Sequence, residues 1–171
     1  MTSLPTKPVV LVGMPGAGKS TVGRVLAARL GREFVDLDER VEAEAQASIS
    51  EIFASEAESG FRRRESAALR DALAEPNVVI AAGGGAPMFG DNLQLMLASA
   101  TVVHVSASLE VLIERIGDGV GRPLFVGGVR ATLARLLPER LSTYARAHFS
   151  VDGNGPPSQV AATVIALLGD A

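Results

Sequence analysis

The sequence predicts an α/β domain: a parallel sheet covered by helices on both faces. Three observations carry that reading. Short apolar runs, "VVLVG" at Val9–Gly13 and "VVIAA" at Val78–Ala82, are followed by glycine turns, as strands buried on both faces tend to be. Stretches of helical periodicity stand between these runs. The phosphate-loop signature "GMPGAGKS" joins the first strand to the first helix, which is the context that motif requires. Strands alternating with helices through right-handed crossovers give a three-layer domain.

The elements follow in order. After the first strand, Val22, Val25, Leu26 and Leu30 fall at helical spacing from Lys19 onward, and Gly31 stops the run. "FVDLD" (34–38) reads as a second strand. An acid- and alanine-rich helix covers 39–45, and another starts after Ser48, where Glu51 three residues on suggests a capping box. A third spans Phe61–Leu73 and ends before "EPN". "VVIAA" is followed by Gly83, Gly84 and Gly85, a helix over Asn92–Leu97, the strand "TVVHVS" and a helix over Leu109–Ile116. The stretch 117–128, "GDGVGRPLFVGG", is glycine-rich and expected to be mobile. Helical pattern returns over 130–148 with an interruption near Pro138. "FSVD" is the last strand and Val160–Leu168 the last helix.

Composition narrows the class. The 171 residues suit one domain with a real core, 47% being apolar and 20% charged. A net charge of -3 offers no general footprint for nucleic acid. Cysteine is absent, so disulfide and thiolate chemistry are excluded. No signal-peptide pattern opens the chain, and no apolar stretch reaches the ~20 residues of a membrane span. A cytoplasmic protein is the expectation. Lysine occurs only at Lys7 and Lys19, against fourteen arginines, yet Lys19 falls where a phosphate loop needs it.

In that loop, Gly16, Ala17 and Gly18 let backbone N–H groups turn toward phosphate oxygens, and the following helix adds positive potential. Lys19 reaches the β and γ phosphates, Ser20 ligates Mg²⁺ and Thr21 continues the loop. A GTPase would need DxxG soon after the first helix and an NKxD. No NKxD exists, and the DxxG matches at Asp118 and Asp152 lie far along the chain. A small kinase leads.

On the acceptor side, period two along "DLD" would put Asp36 and Asp38 on one face, with Leu37 buried on the other. Strand ends beside a phosphate loop face the ligand crevice of an open α/β sheet. One acid suits Mg²⁺ through water, and the other suits an acceptor hydroxyl and its proton. In "FRRRE" (61–65) the three arginines cannot share a helix face, but Arg62 and Glu65 are i, i+3 neighbours. The three glycines ending "VVIAAGGG" permit a close backbone approach to a ligand. His104 and His148 read as structural.

"GMPGAGKST", "DLD", "FRRRE", "VVIAAGGGA", "GRP" and "ERLSTY" occur in that order, and together they resemble shikimate kinase from about Val9 to Leu168. The resemblance implies a single P-loop kinase domain over 1–171, with an acceptor-binding region at about 38–74 and a lid at about 117–128. It implies transfer of the γ-phosphoryl of ATP to the 3-hydroxyl of shikimate, with Mg²⁺, on the route to chorismate and the aromatic amino acids. Asp38 then matches the residue that holds the ring hydroxyls and acts as base, and Asp36 the acid near the metal. Arg62 and Arg140 match the carboxylate clamp, helped by Gly84 and Gly85, with Glu65 beside Arg62. Arg122 matches the lid arginine and Arg115 a residue near adenine. Shikimate and ATP are the expected partners, without nucleic acid or membrane, and a monomer is expected. The chain departs from the family pattern at "ERLSTY", which lacks a proline, at "DGNGPP", which lacks a basic residue, and at Pro87.

Rival readings are a gluconate kinase, a nucleoside monophosphate kinase, and a nucleotide-binding regulatory protein without catalysis. The first should not need the paired arginines with three glycines. The last should have lost one of Lys19, Ser20, Asp36, Asp38 or Arg122.

Overall fold

In a computed structural model, which describes residues 7–169, five parallel strands lie in the order β2-β3-β1-β4-β5. They are β1 (Val9–Val12), β2 (Glu33–Asp36), β3 (Val78–Ala81), β4 (Thr101–Ser106) and β5 (Phe149–Asp152). The helices are α1 (Lys19–Leu30), α2 (Leu37–Ala45), α3 (Ile49–Ala74), α4 (Asn92–Ser99), α5 (Leu109–Ile116), α6 (Val129–Tyr144) and α7 (Pro157–Gly169). β1 and β3 are buried throughout, which is why their sequences are apolar without alternation.

Strand order decides the layers. The β1-to-β2 crossover runs one way across the sheet, and those from β2 to β3, β3 to β4 and β4 to β5 run the other. Right-handed connections therefore put α1 on one face and α3, α4 and the α5–α6 pair on the opposite one. α7 packs on α1 and completes the first layer. The order reverses at β1, and the register aligns Asp36 of β2, Ala81 of β3 and Leu11 of β1 in one row. The loops leaving that row form the crevice of the switch point.

Three expectations are corrected. The second strand stops at Asp36, and Asp38 lies in the first turn of α2 instead of on the strand. Asp36 is the helix N-cap, its Oδ1 accepting the N–H of Asp38 at 3.0 Å and of Glu39 at 3.3 Å. That cap turns the chain two residues early. Next, α6 runs unbroken through Pro138. Ala134 and Pro138 both face solvent, so water can take the carbonyl that the missing N–H releases. Finally, α7 begins at Pro157, ahead of Val160, with proline at a position where its missing N–H costs nothing.

The Ser48–Glu51 capping box is present and starts α3. The two expected helices after it are both present within α3 and meet at a kink at Ala57, whose backbone has φ 59° and ψ -179°. The glycine-rich stretch contains a 3-10 turn at Pro123–Phe125. Phe125 is buried, and the Ser50 hydroxyl donates to the Gly121 carbonyl at 3.2 Å. Among the described residues, no helix is long and apolar enough to cross a membrane.

A buried amide joins the wall of the crevice to its floor. The Ser66 hydroxyl on α3 donates to Asn92 Oδ1 at 2.6 Å, and Asn92 Nδ2 donates to the Ala86 carbonyl at 3.0 Å. Asn92→Ala should destabilise the fold by about 2–3 kcal/mol, because it strands a buried carbonyl and a hydroxyl. Urea unfolding checks this; a loss under about 0.5 kcal/mol would show that neither group depends on the amide.

Candidate active site

β1 delivers the chain into the phosphate loop through Gly13, at φ +150°, where any side chain would overlap the Val105 carbonyl. Gly16 and Gly18 also have positive φ. Gly18 is the N-cap of α1, and no side chain caps that helix, so N–H groups of its first turn stay available to an anion. Lys19 is buried, and its Nζ donates to the carbonyls of Gly13 and Met14 at 2.8 Å each. Burial pulls the ammonium down from 10.5 to about 8, against the opposing pull of Asp38 and Asp36.

The Ser20 hydroxyl donates to Asp36 Oδ2. Because Asp36 Oδ1 caps α2, one carboxylate ties the start of α1 to the start of α2. Asp38, in the first turn of α2, has a buried Oδ1 with no hydrogen-bond partner among the described residues. Burial, then the neighbouring Asp36, pushes its carboxyl above the usual 3.8, while Lys19 and Arg62 pull the other way.

Across the crevice, Arg62 of α3 donates from Nη1 to Glu65 Oε2 at 2.7 Å. Glu65 is 0% exposed and its Oε1 has no partner. Burial pushes it up, and Arg62 pulls it back. Arg64 instead pairs with Glu56, at 2.7 Å, so of the three arginines Arg62 is the one turned to the crevice. Arg140 of α6 is 8% exposed, with Nη1 buried and unpartnered.

The three glycines are explained by what crowds them. A Cβ at Gly83 would overlap Glu65 Oε1 and come within 3.2 Å of Asp38 Oδ1. At Gly84 it would lie 2.8 Å from Pro15 Cδ and 3.1 Å from Arg140 Nη1. At Gly85 it would overlap the Arg62 guanidinium. The turn is a floor on which both arginines and both carboxylates close in.

Phosphate loop and acceptor side open into one cavity of ≈430 Å³. Gly16, Gly18, Lys19, Ser20 and Thr21 line one end, and Arg62, Gly84, Gly85 and Arg140 the other. Asp36 and Asp38 stand between them, and Arg122 covers them from the glycine-rich stretch. The Arg122 side chain has no hydrogen-bond or ionic partner among the described residues. Two expected site residues, Ala17 and Arg115, stand outside this lining. Arg115 Nη1 donates to the Ala17 carbonyl at 3.1 Å and Nη2 to the Gly153 carbonyl at 2.8 Å, bracing the phosphate loop against the loop after β5. His104 is buried, as expected, and stacks on Tyr144. Tyr144, whose hydroxyl donates to the Gly84 carbonyl at 2.6 Å, ends the "ERLSTY" stretch but received no role from the sequence. Beyond that stretch, its visible signal is a position one helical turn after Arg140.

A family model described as shikimate kinase matches residues 15–168. The shikimate kinase of Salinispora tropica is 47% identical over 162 residues, covering 93% of this chain and 96% of that protein. Shikimate kinase from Acinetobacter baumannii, solved in complex with shikimate, superposes with a TM-score of 0.94 at 34% identity, covering 98% of this chain and 95% of that one. Shikimate kinase from Aquifex aeolicus gives 0.83 at 33% identity, covering 95% and 96%.

If Lys19 meets the nucleotide phosphates, its depressed ammonium should set a pH limit on nucleotide binding. It is charged below about 8 and neutral above, so ATP affinity of the free protein should fall as pH rises through that value, by up to about tenfold per unit. Calorimetric titration with ATP over a pH series reads this directly. Affinity unchanged up to the ordinary lysine value of 10.5 would rule out a depressed Lys19.

Proposed function

The chain belongs to the shikimate kinase family, and from that premise we propose how its residues divide the work. The activity is ATP-dependent phosphorylation of shikimate to shikimate 3-phosphate. One observation carries the assignment of roles: a single cavity holds the phosphate loop, the unpartnered Asp38 Oδ1 and the unpartnered Arg140 Nη1.

Arg62 and Arg140 take the acceptor carboxylate, since guanidinium forks bond both oxygens of a planar anion. The backbone of Gly84 and Gly85 forms the floor beneath it. Asp38 accepts the 3-hydroxyl. As the hydroxyl oxygen bonds to the γ-phosphorus, the bond from that phosphorus to the β-bridging oxygen breaks, the hydroxyl proton passes to Asp38 and ADP leaves. A carboxyl pushed above its usual range is the better proton acceptor. Lys19 and the first-turn amides of α1 hold the phosphates, and Arg122 neutralises charge as the γ-phosphoryl moves. The flat face of Arg115 packs by the adenine.

The donor set fits Mg²⁺. A serine hydroxyl and a carboxylate stand beside the phosphate cradle, and the described residues contain no cluster of three acidic, histidine or cysteine ligands. This suits an ion that keeps its waters and binds mainly to phosphate. Ser20 would hold it directly and Asp36 through water, and it would supply charge neutralisation at the β and γ phosphates. Within a single domain, the region about 38–74 serves as the acceptor-binding region and about 117–128 as the lid. Because one chain completes the cavity, a monomer suffices.

ADP release from Mg-ATP should depend on shikimate and not on gluconate; equal rates with shikimate and with no acceptor would overturn the acceptor assignment. Asp38→Asn should lower kcat by at least about 10²-fold while ATP binding, read by calorimetry, stays near its original value. Near-normal turnover in that variant would remove Asp38 from the mechanism.

A further inference from the structure

Tyr144 is 1% exposed at the end of α6, one helical turn after Arg140. Its ring stacks on His104 of β4, with centroids 5.1 Å apart and planes at 21°. Its hydroxyl donates to the Gly84 carbonyl at 2.6 Å, and the Met14 sulfur lies 3.9 Å from the same oxygen. Met14 in turn gives its carbonyl to Lys19 Nζ. One phenol oxygen thus meets the glycine turn and the phosphate loop. Packing alone does not require it, since phenylalanine would fill almost the same volume.

The hydroxyl acts on a particular peptide. Arg140 Nη1 sits 3.1 Å from where a Gly84 Cβ would stand, and that nitrogen has no hydrogen-bond partner among the described residues. The Gly84 peptide is therefore the surface on which that guanidinium rests. Gly84 carries no side chain, so its own backbone torsions are loosely restrained. A hydrogen bond to its carbonyl supplies that restraint. Burial pushes the phenol up to about 12, against the pull of the Arg140 guanidinium beside it, so it stays a donor throughout the working range.

We propose that Tyr144 is a positioning residue, whose hydroxyl fixes the Gly84 peptide and with it the neighbouring Arg140 end of the acceptor carboxylate clamp. It touches neither substrate. The inference rests on the clamp reading given above.

The test is a double-mutant cycle on shikimate affinity, using Tyr144→Phe, Arg140→Ala and the pair. Tyr144→Phe should raise the shikimate Kd and KM about fivefold, with kcat and the ATP Kd near their original values. In the Arg140→Ala background the same change should have no further effect. Multiplicative effects of the two substitutions, or an unchanged shikimate Kd in Tyr144→Phe, would overturn the inference. Parallel weakening of ATP and shikimate binding would also overturn it, since that marks a general loss of structure. Tyr144→Leu, which loses the aromatic stacking as well as the hydroxyl, is the second variant. It should match Tyr144→Phe in shikimate affinity if the hydroxyl is the active group, and a much larger loss would assign the effect to stacking. Failure of the unaltered protein to bind shikimate would remove the functional reading itself, whereas normal binding with an inert Tyr144→Phe removes only this inference.

Discussion

Glu65 imposes the constraint that shapes this crevice. A carboxylate with no solvent contact is expensive unless paired, and a single guanidinium, Arg62, pairs it. One oxygen takes the Arg62 hydrogen bond, and the other presses on Gly83. That packing dictates the end of β3: a side chain at 83 would collide with Glu65, and one at 85 with Arg62. It also decides which of three consecutive arginines faces inward. Arg62 is anchored by Glu65, whereas Arg64 is drawn outward by Glu56. The glycine turn and the arginine helix are thus two sides of one steric and electrostatic solution, which is why they occur together.

The charges of the cavity nearly balance before any ligand arrives. Lys19, Arg62, Arg122 and Arg140 share it with Asp36, Asp38, Glu42 and Glu65. The balance is incomplete locally, for Arg140 Nη1, Asp38 Oδ1 and Glu65 Oε1 remain without partners. Buried polar atoms left this way lower stability, so their persistence needs a reason. On the proposed reading, an acceptor bearing a carboxylate and a hydroxyl supplies partners for the first two. The protein forgoes stability in the free state and gains affinity when the acceptor binds.

Much of this was legible in the sequence where signals are local. The phosphate loop, the apolar strands and the Ser48–Glu51 cap announce themselves within a few residues. "FVDLD" was misread because two local rules compete there. Alternation argues for a strand, while an acid followed by an acidic first turn argues for a helix cap, and Asp36 settles it by accepting two backbone N–H bonds. The candidate site survives because either geometry leaves Asp38 by the cavity. Pro138 misled for another reason: the cost of a lost helix bond depends on solvent access to one carbonyl, and sequence does not show that face. Contacts of long range were invisible. Nothing local links Tyr144 to Gly84, or Asn92 to Ser66, since each pair meets only when α6 or α4 docks.

The same geometry bears on why the phosphate should go to an alcohol when water is everywhere. Asp38 alone does not choose, because its free oxygen would serve a water molecule as well as a sugar-like hydroxyl. Choice needs a second contact at a distance that water cannot span, and on the proposed reading the arginines across the glycine turn provide it. An acceptor held at both ends displaces water from Asp38 and brings its own oxygen there. The lid then has a limited task. Phe125 anchors it in the core and Ser50 holds the Gly121 carbonyl, leaving the Arg122 side chain at the cavity without a partner among the described residues. A guanidinium in that condition is stabilised most by the anion beneath it. On this reading, closure is driven by the nucleotide phosphates while selection is made by the clamp, so the two tasks fall to different arginines.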